Sequence, residues 1–187
     1  SKSKGNVVNP LELVDQYGAD AVRFALIYGN ATGNDQALSY PKLDAARKFT
    51  NKLWNIARFI EMNRIKNHES RIKDDFHDLL SSAENKSDKE IIIQTQNLAK
   101  EITKNLDNFD FNFAAEKLYD YVWHVFADKY IENIKVRLDK KSFIILNSLF
   151  MILLKLLHPF MPFVTEEIYQ RMKAGESIMI DRWPSYA

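Results

Sequence analysis

Cysteine is absent from the 187-residue chain, which excludes a disulfide framework and any thiolate metal site and fits a reducing, cytoplasmic setting. Glycine and proline are scarce, five of each, so the chain has few breaks and favours long helices over a sheet-rich fold. Neither sign of charge dominates. The 26 Lys and Arg against 25 Asp and Glu leave a formal net charge of +1, which argues against a globally basic nucleic-acid binder but leaves room for a local basic face. Histidine occurs only at 68, 77, 124 and 158, with no metal-ligand spacing on one helical face, so no metal site is expected. No Ser/His/Asp or Cys/His arrangement suggests a nucleophile. No targeting peptide is visible. The most apolar run, Phe143 to Val164, is broken by Asn147, Ser148, Lys155, His158 and two prolines, and reads as a buried helix rather than a membrane span.

What the chain has in quantity is helical periodicity. Asn9, Pro10 and Glu12 form a capping box for a first helix that Gly18 closes. The stretch "ADAVRFALIY" is a second short helix. Leu43, Ala46, Thr50, Leu53, Ala57 and Ile60 recur at steps of three and four, predicting a long helix from Tyr40 to Asn63. "SDKE" at Ser87 to Glu90 is a second capping box. Ile91, Thr95, Leu98, Ile102 and Leu106 form the apolar face of the helix it opens. A further long helix is expected from Phe113 to Leu138, an apolar one from Ser142 to Pro159, and a last one from Pro162 to Met172. "SIMIDRW" alternates apolar and polar residues, which predicts one short strand near the C-terminus. The fold class expected is all-α: an antiparallel helix bundle with that one strand.

The opening "SKSKGN" offers two lysines, two hydroxyls and a glycine to an anion, a pattern that also suits a solvated terminus. The longer stretch that it begins is more specific. "SKSKGNVVNPLELVDQYGADAVRFAL" resembles the segment of class I aminoacyl-tRNA synthetases that starts inside their K-M-S-K-S signature. Ser1, Lys2 and Ser3 match its last three positions. The likeness continues through "NKLWNIARFI" and "LLHPFMPFVTEEIYQRM" to "SIMIDRWP", nearly the whole chain. "GND", "NKLWNIARF" and "WHVFADKYIE" are most like the valine-specific members, with the isoleucine-specific members as the alternative; a structural or protein-interaction bundle is the reading from another class.

The resemblance carries several expectations. Lys2 would stabilise the phosphates of ATP, bound with Mg2+, in a loop shaped by Ser1 and Ser3. Residues 1–38 would be the end of the signature loop and the stem-contact helices, and residues 39–187 the anticodon-binding bundle. The partner would be tRNA(Val). The nucleotide-binding and editing domains would lie elsewhere in a longer, monomeric enzyme, so the chain alone would bind no cofactor and form no aminoacyl-adenylate. Within the bundle, Lys42, Lys48, Lys52 and Arg58 are candidate phosphate contacts, and Phe59 is either a platform for an unpaired base or a core residue. Trp54 and Trp123 read as core.

Overall fold

Asn9 opens the first helix at the predicted position: its side-chain oxygen accepts from the Leu11 amide at 3.0 Å, and its side-chain Nδ2 donates to Glu12 Oε1 at 3.2 Å. In the computed structural model, which describes residues 9–29, 38–67, 72–73, 75–173 and 175–185, helix α1 spans Pro10–Tyr17 and α2 spans Ala19–Ile27. Gly18 separates them at φ 89°, a backbone setting that a side chain would strain. Ser1, Lys2 and Ser3 lie outside the described residues.

Helix α3 spans Tyr40–Asn67, one turn beyond the expected end. Its inward face is Leu43, Ala46, Phe49, Leu53, Ile56, Ala57 and Ile60, all buried. In the polar connection after it, α4 (Phe76–Ser82) buries Phe76 and Leu79 and is capped by Asp75. Helix α5 runs Lys86–Asp107 and begins just after Asn85, not at Ser87. Ser87 accepts a hydrogen bond from Arg137 instead of capping. Asp88, 1% exposed, accepts from Tyr130 Oη at 3.0 Å, Ser142 Oγ at 2.8 Å and Arg137 Nη2 at 2.9 Å. Burial opposes this carboxylate's charge, but the bonds from Arg137, Ser142 and Tyr130 outweigh it and hold its pKa below the usual range.

The expected single helix from Phe113 to Leu138 is a rod of three parts: α6 (Phe111–Asp120), a π-helical segment (Tyr121–Ile131) and α7 (Glu132–Ile134). Helix α8 (Lys140–Leu157) is capped by Asp139, whose carboxylate accepts from the Ser142 amide at 2.8 Å. It is buried nearly all round, including Asn147, Ser148 and Lys155. It is the central helix, packed against α3, α5 and α9. No helix among the described residues is long and apolar enough to cross a membrane. Helix α9 spans Pro162–Met172.

The architecture is all-α. The strand expected near the C-terminus is not formed, and no strand occurs among the described residues. Ile178–Ile180 is a 3-10 turn opened by Ser177. The pattern there is misleading because only Ile178 faces inward, its amide bonded to the Glu166 carboxylate; Met179 and Ile180 are 77% and 87% exposed. The turn instead delivers Asp181 to the buried Lys155 ammonium at 3.0 Å, to Lys173 at 3.2 Å and to the Tyr169 hydroxyl. Burial disfavours the Asp181 charge, but the bonds from Tyr169 and Lys155 prevail and hold its pKa far below the ordinary value.

A depressed folded pKa stabilises the fold above the unfolded-state pKa, and that contribution is lost as pH falls through the folded value. The melting temperature is therefore expected to drop on acidification below the ordinary carboxylate range, with less of a drop in Asp181→Asn. Identical acid limbs for the two proteins in a pH series of thermal melts would remove Asp181 from this role.

Candidate nucleic-acid interface

On a helix of 3.6 residues per turn, Lys48, Lys52 and Phe59 fall within about 40° of one another, on the flank of α3 beside its buried face. The structure brings these three predicted residues together. Lys48 is exposed and makes no hydrogen bond or ion pair among the described residues. Lys52 Nζ lies 2.7 Å from Asp128 Oδ1 and 5.2 Å from the centre of the Trp123 ring. Phe59 is half-buried. It packs against the core on one side and has Lys135 Nζ 5.6 Å from its ring centre on the other. Lys135 in turn pairs with Glu132 at 2.5 Å.

Two predicted residues stand apart. Lys42 lies on another side of α3, where its ammonium donates to the Gly29 carbonyl at 3.2 Å and ties the end of α2 to α3. Arg58 is exposed, about a quarter turn from the stripe.

The second wall of the stripe comes from the rod. Phe49 meets Trp123, Lys52 meets Trp123 and Asp128, and Phe59 meets Lys135, so the rod runs in step with α3. Trp123 is partly buried, as the core reading expects. It belongs to an aromatic ladder with Tyr119 at 5.5 Å and Phe49 at 6.3 Å, which continues to Phe24 and Tyr28. Burial, followed by Tyr119 and Asp120 for Tyr28 and by Asp120 for Tyr119, pushes both hydroxyls up, so both remain neutral. Trp54 is also half-buried, with the Arg171 guanidinium 4.9 Å from its ring centre. Sequence periodicity did not single out Lys135, Glu132 or Asp128. The usable signal was the dense aromatic and charged run "WHVFADKYIE", but its register depends on a π-helical segment that a 3.6-residue period misplaces.

The stripe joins cations, an aromatic face with a cation over it, and one uncovered lysine, a combination suited to phosphates and unpaired bases. On the other side of the rod, a groove between α5 and the rod is lined by Glu90, Glu101 and Asp120 together with Lys117 and Lys129. Lys117 is already paired with Glu101 at 2.8 Å, so this groove has little to attract a polyanion. Asp75, His77 and Asp78 cluster on the surface within metal-ligand reach, a grouping that histidine spacing alone did not single out. The Asp75 carboxylate is engaged in capping α4, at 2.7 Å from the His77 amide.

The N-terminal helices are fastened to the far end of the bundle. Asp20 on α2 is buried and accepts from the Phe163 and Val164 amides at 3.2 and 2.6 Å, capping the N-terminus of α9. Arg23 donates to the Pro159 carbonyl at 3.3 Å. His158 Nδ1 is 2.8 Å from Thr165 Oγ1, and burial lowers its pKa. The "GADAVR" stretch thus fastens α2 to the α8–α9 corner. Glu166 and Glu167 lie one turn further into α9: Glu166 receives the Ile178 amide at 3.1 Å, and Glu167 pairs with Arg171 at 2.7 Å.

Comparison with known proteins matches residues 88–187 to the family model described as the anticodon-binding domain of tRNA ligase, and residues 1–39 to tRNA synthetases class I (I, L, M and V). The chain is similar to the valine–tRNA ligase of Clostridium perfringens, 42% identical over 194 residues that cover 100% of this chain and 21% of that protein. The same is true of the Clostridium acetobutylicum protein at 43% over 195 residues (100% and 21%) and the Thermotoga maritima protein at 40% over 189 residues (98% and 21%). The chain therefore spans about a fifth of the length of these relatives. Among solved structures, a ternary complex of an Agrobacterium radiobacter LeuRS with tRNA and LeuAMS shares the fold, with a TM-score of 0.81 at 22% identity, covering 100% of this chain and 22% of that one.

Proposed function

Because the chain belongs to the family of tRNA ligase anticodon-binding domains, we propose that it is the part of a valine–tRNA ligase that holds the anticodon arm of tRNA(Val). The observation that carries this reading is the α3 stripe, where Lys48, Lys52 and Phe59 share one face and Lys135 adds a cation above the phenyl ring. In this reading residues 39–187 are the RNA-binding bundle, and residues 1–38 link it to the rest of a cytoplasmic, monomeric enzyme that carries the nucleotide-binding and editing domains. Ser1, Lys2 and Ser3 then serve ATP and its Mg2+ in the whole enzyme. That chemistry belongs to residues outside those described.

Physically, the lysines hold the backbone, and an unpaired base stacks on the outer face of Phe59 as Lys135 swings from the ring to a neighbouring phosphate. With a net charge of +1, few phosphates are neutralised, so affinity is modest and falls with salt. Lys42 is engaged with the Gly29 carbonyl, so its share in RNA binding is smaller than that of Lys48, and Arg58 reaches RNA only at the edge of the stripe.

The test is titration of an anticodon-arm hairpin of tRNA(Val) sequence, with melting of the same proteins. Phe59→Ala is expected to weaken binding by about 1–3 kcal/mol, the range for a lost stacked base. Lys48→Ala should chiefly lower the slope of log affinity against log salt, by about 0.7 for a single-strand phosphate. Unchanged RNA binding by Phe59→Ala, in protein that still melts cooperatively, would rule out the stacking role.

A further inference from the structure

The π-helical segment places together two residues that an α-helix would separate. Trp123 and Asp128 are five positions apart, which on 3.6 residues per turn means about 140° around the axis. Hydrogen bonding from i to i+5 enlarges the turn and brings such positions towards one face. Both meet the same ammonium: Lys52 Nζ is 5.2 Å from the Trp123 ring centre and 2.7 Å from Asp128 Oδ1. His124, exposed, places Nδ1 3.8 Å from Asp128 Oδ2. The uncovered Lys48 lies one turn before Lys52 on the same face of α3.

We propose that Lys52, Trp123 and Asp128 form a second nucleotide subsite, in which an RNA phosphate displaces Asp128 from Lys52 and the adjoining base lies on the exposed part of the Trp123 indole. The inference rests on the RNA-binding reading above and extends it to residues on the rod. The subsite stands seven residues before Phe59 along α3, about 10 Å of helix rise, within the span of a short single-stranded segment. The chemistry of exchange is simple. The Lys52–Asp128 pair is solvent-accessible, with the two side chains 27% and 46% exposed, so the pair itself is weak. A phosphate carries full charge and can be shared with Lys48. In the absence of RNA, Asp128 holds Lys52 over the ring. When RNA is bound, Asp128 keeps its contact with the His124 ring, and the ring face under Lys52 is released for stacking.

The 187-residue chain is titrated with the same anticodon-arm hairpin at several salt concentrations, with melting curves to confirm folding. Lys52→Met is expected to weaken binding about threefold, the value of one exposed ion pair, and to lower the salt slope by about 0.7. Asp128→Asn, which frees Lys52, is expected to tighten binding by a similar factor, and to do so only when Lys52 is present. RNA should quench tryptophan emission, and Trp123→Phe, which keeps a ring against Tyr119 and Phe49, should remove most of that quench.

If Phe59→Ala weakens binding while Lys52→Met changes neither affinity nor salt slope, the second subsite is wrong and the RNA-binding reading stands. If Asp128→Asn tightens binding equally in the Lys52→Met background, displacement of Asp128 from Lys52 is wrong. A quench that survives in Trp123→Phe overturns the stacking contact. If the wild-type chain binds no RNA, both readings fall together.

Discussion

Asp88→Ala is expected to lower the stability of the chain by about 3–5 kcal/mol, the cost of removing one partner from a buried ion pair. The carboxylate lies at the centre of a junction between α5, the rod, the turn after it and the start of α8. It accepts from Tyr130 on the rod, Arg137 beyond α7 and Ser142 on α8. Removal leaves the Tyr130 hydroxyl buried without its acceptor, and leaves the Arg137 guanidinium, 28% exposed, with only its hydroxyl partners Ser87 and Ser142. Burial and the Asp88 charge both push the Tyr130 hydroxyl well above its ordinary pKa, so it stays a neutral donor and cannot supply the missing charge. Urea unfolding followed by circular dichroism measures the loss as a shift in midpoint at constant slope. A loss below about 1 kcal/mol would mean that solvent screens the junction as it screens a surface pair.

Asp20→Ala is expected to cost about 2–4 kcal/mol, because a cap and two charge-assisted hydrogen bonds are lost from the N-terminus of α9. Asp20→Asn should recover part of this, since the amide oxygen still accepts from the Val164 amide but brings no charge to the helix dipole. The effect should be visible at a distance, because α2 packs on α3, which carries the Lys48–Phe59 stripe. Hydrogen exchange provides the check: amides of α2 should exchange faster in Asp20→Ala, together with those of the first turn of α9. Unchanged protection in α2 would show that packing on α3 alone secures it.

The helices of this fold were legible because their signals are local. Asn9 caps at the position its spacing assigns, Gly18 takes the positive φ its place demands, and the apolar stripe of α3 is the buried one. The misreadings have a common source in partners distant in sequence. Ser87 looks like a helix cap but serves Arg137, fifty residues on. The stretch 177–183 reads as a strand but forms a turn that carries Asp181 to Lys155. The rod between 111 and 134 changes hydrogen-bonding register midway, so a 3.6-residue period cannot say that Trp123 and Asp128 share Lys52. For the candidate site, periodicity alone suffices to put Lys48, Lys52 and Phe59 on one face. The same periodicity gave no indication that Lys135 covers Phe59, because that contact joins two helices. Nor does composition distinguish Lys42, whose ammonium is engaged with the Gly29 carbonyl, from the open Lys48.

The bond between Asp20 and the Val164 amide joins residues 144 positions apart, and this sets an order of events during synthesis. Translation at about 5–20 residues per second adds those positions over roughly 7–30 s. Through that interval α2 exists without the helix end it caps. Its buried Phe24 and Ala25 then have α3 and, later, the aromatic ladder of the rod as cover. The early local pairing of α2 with α3 therefore acts as a holding arrangement on the ribosome, and the Asp20–Val164 contact, made once α9 emerges, locks α2 to the end of the bundle. A nascent chain stalled before Pro162 would keep the hairpin of α2 and α3 but lack the lock. Limited proteolysis of stalled chains would find the α2 segment open to cleavage until α9 has emerged.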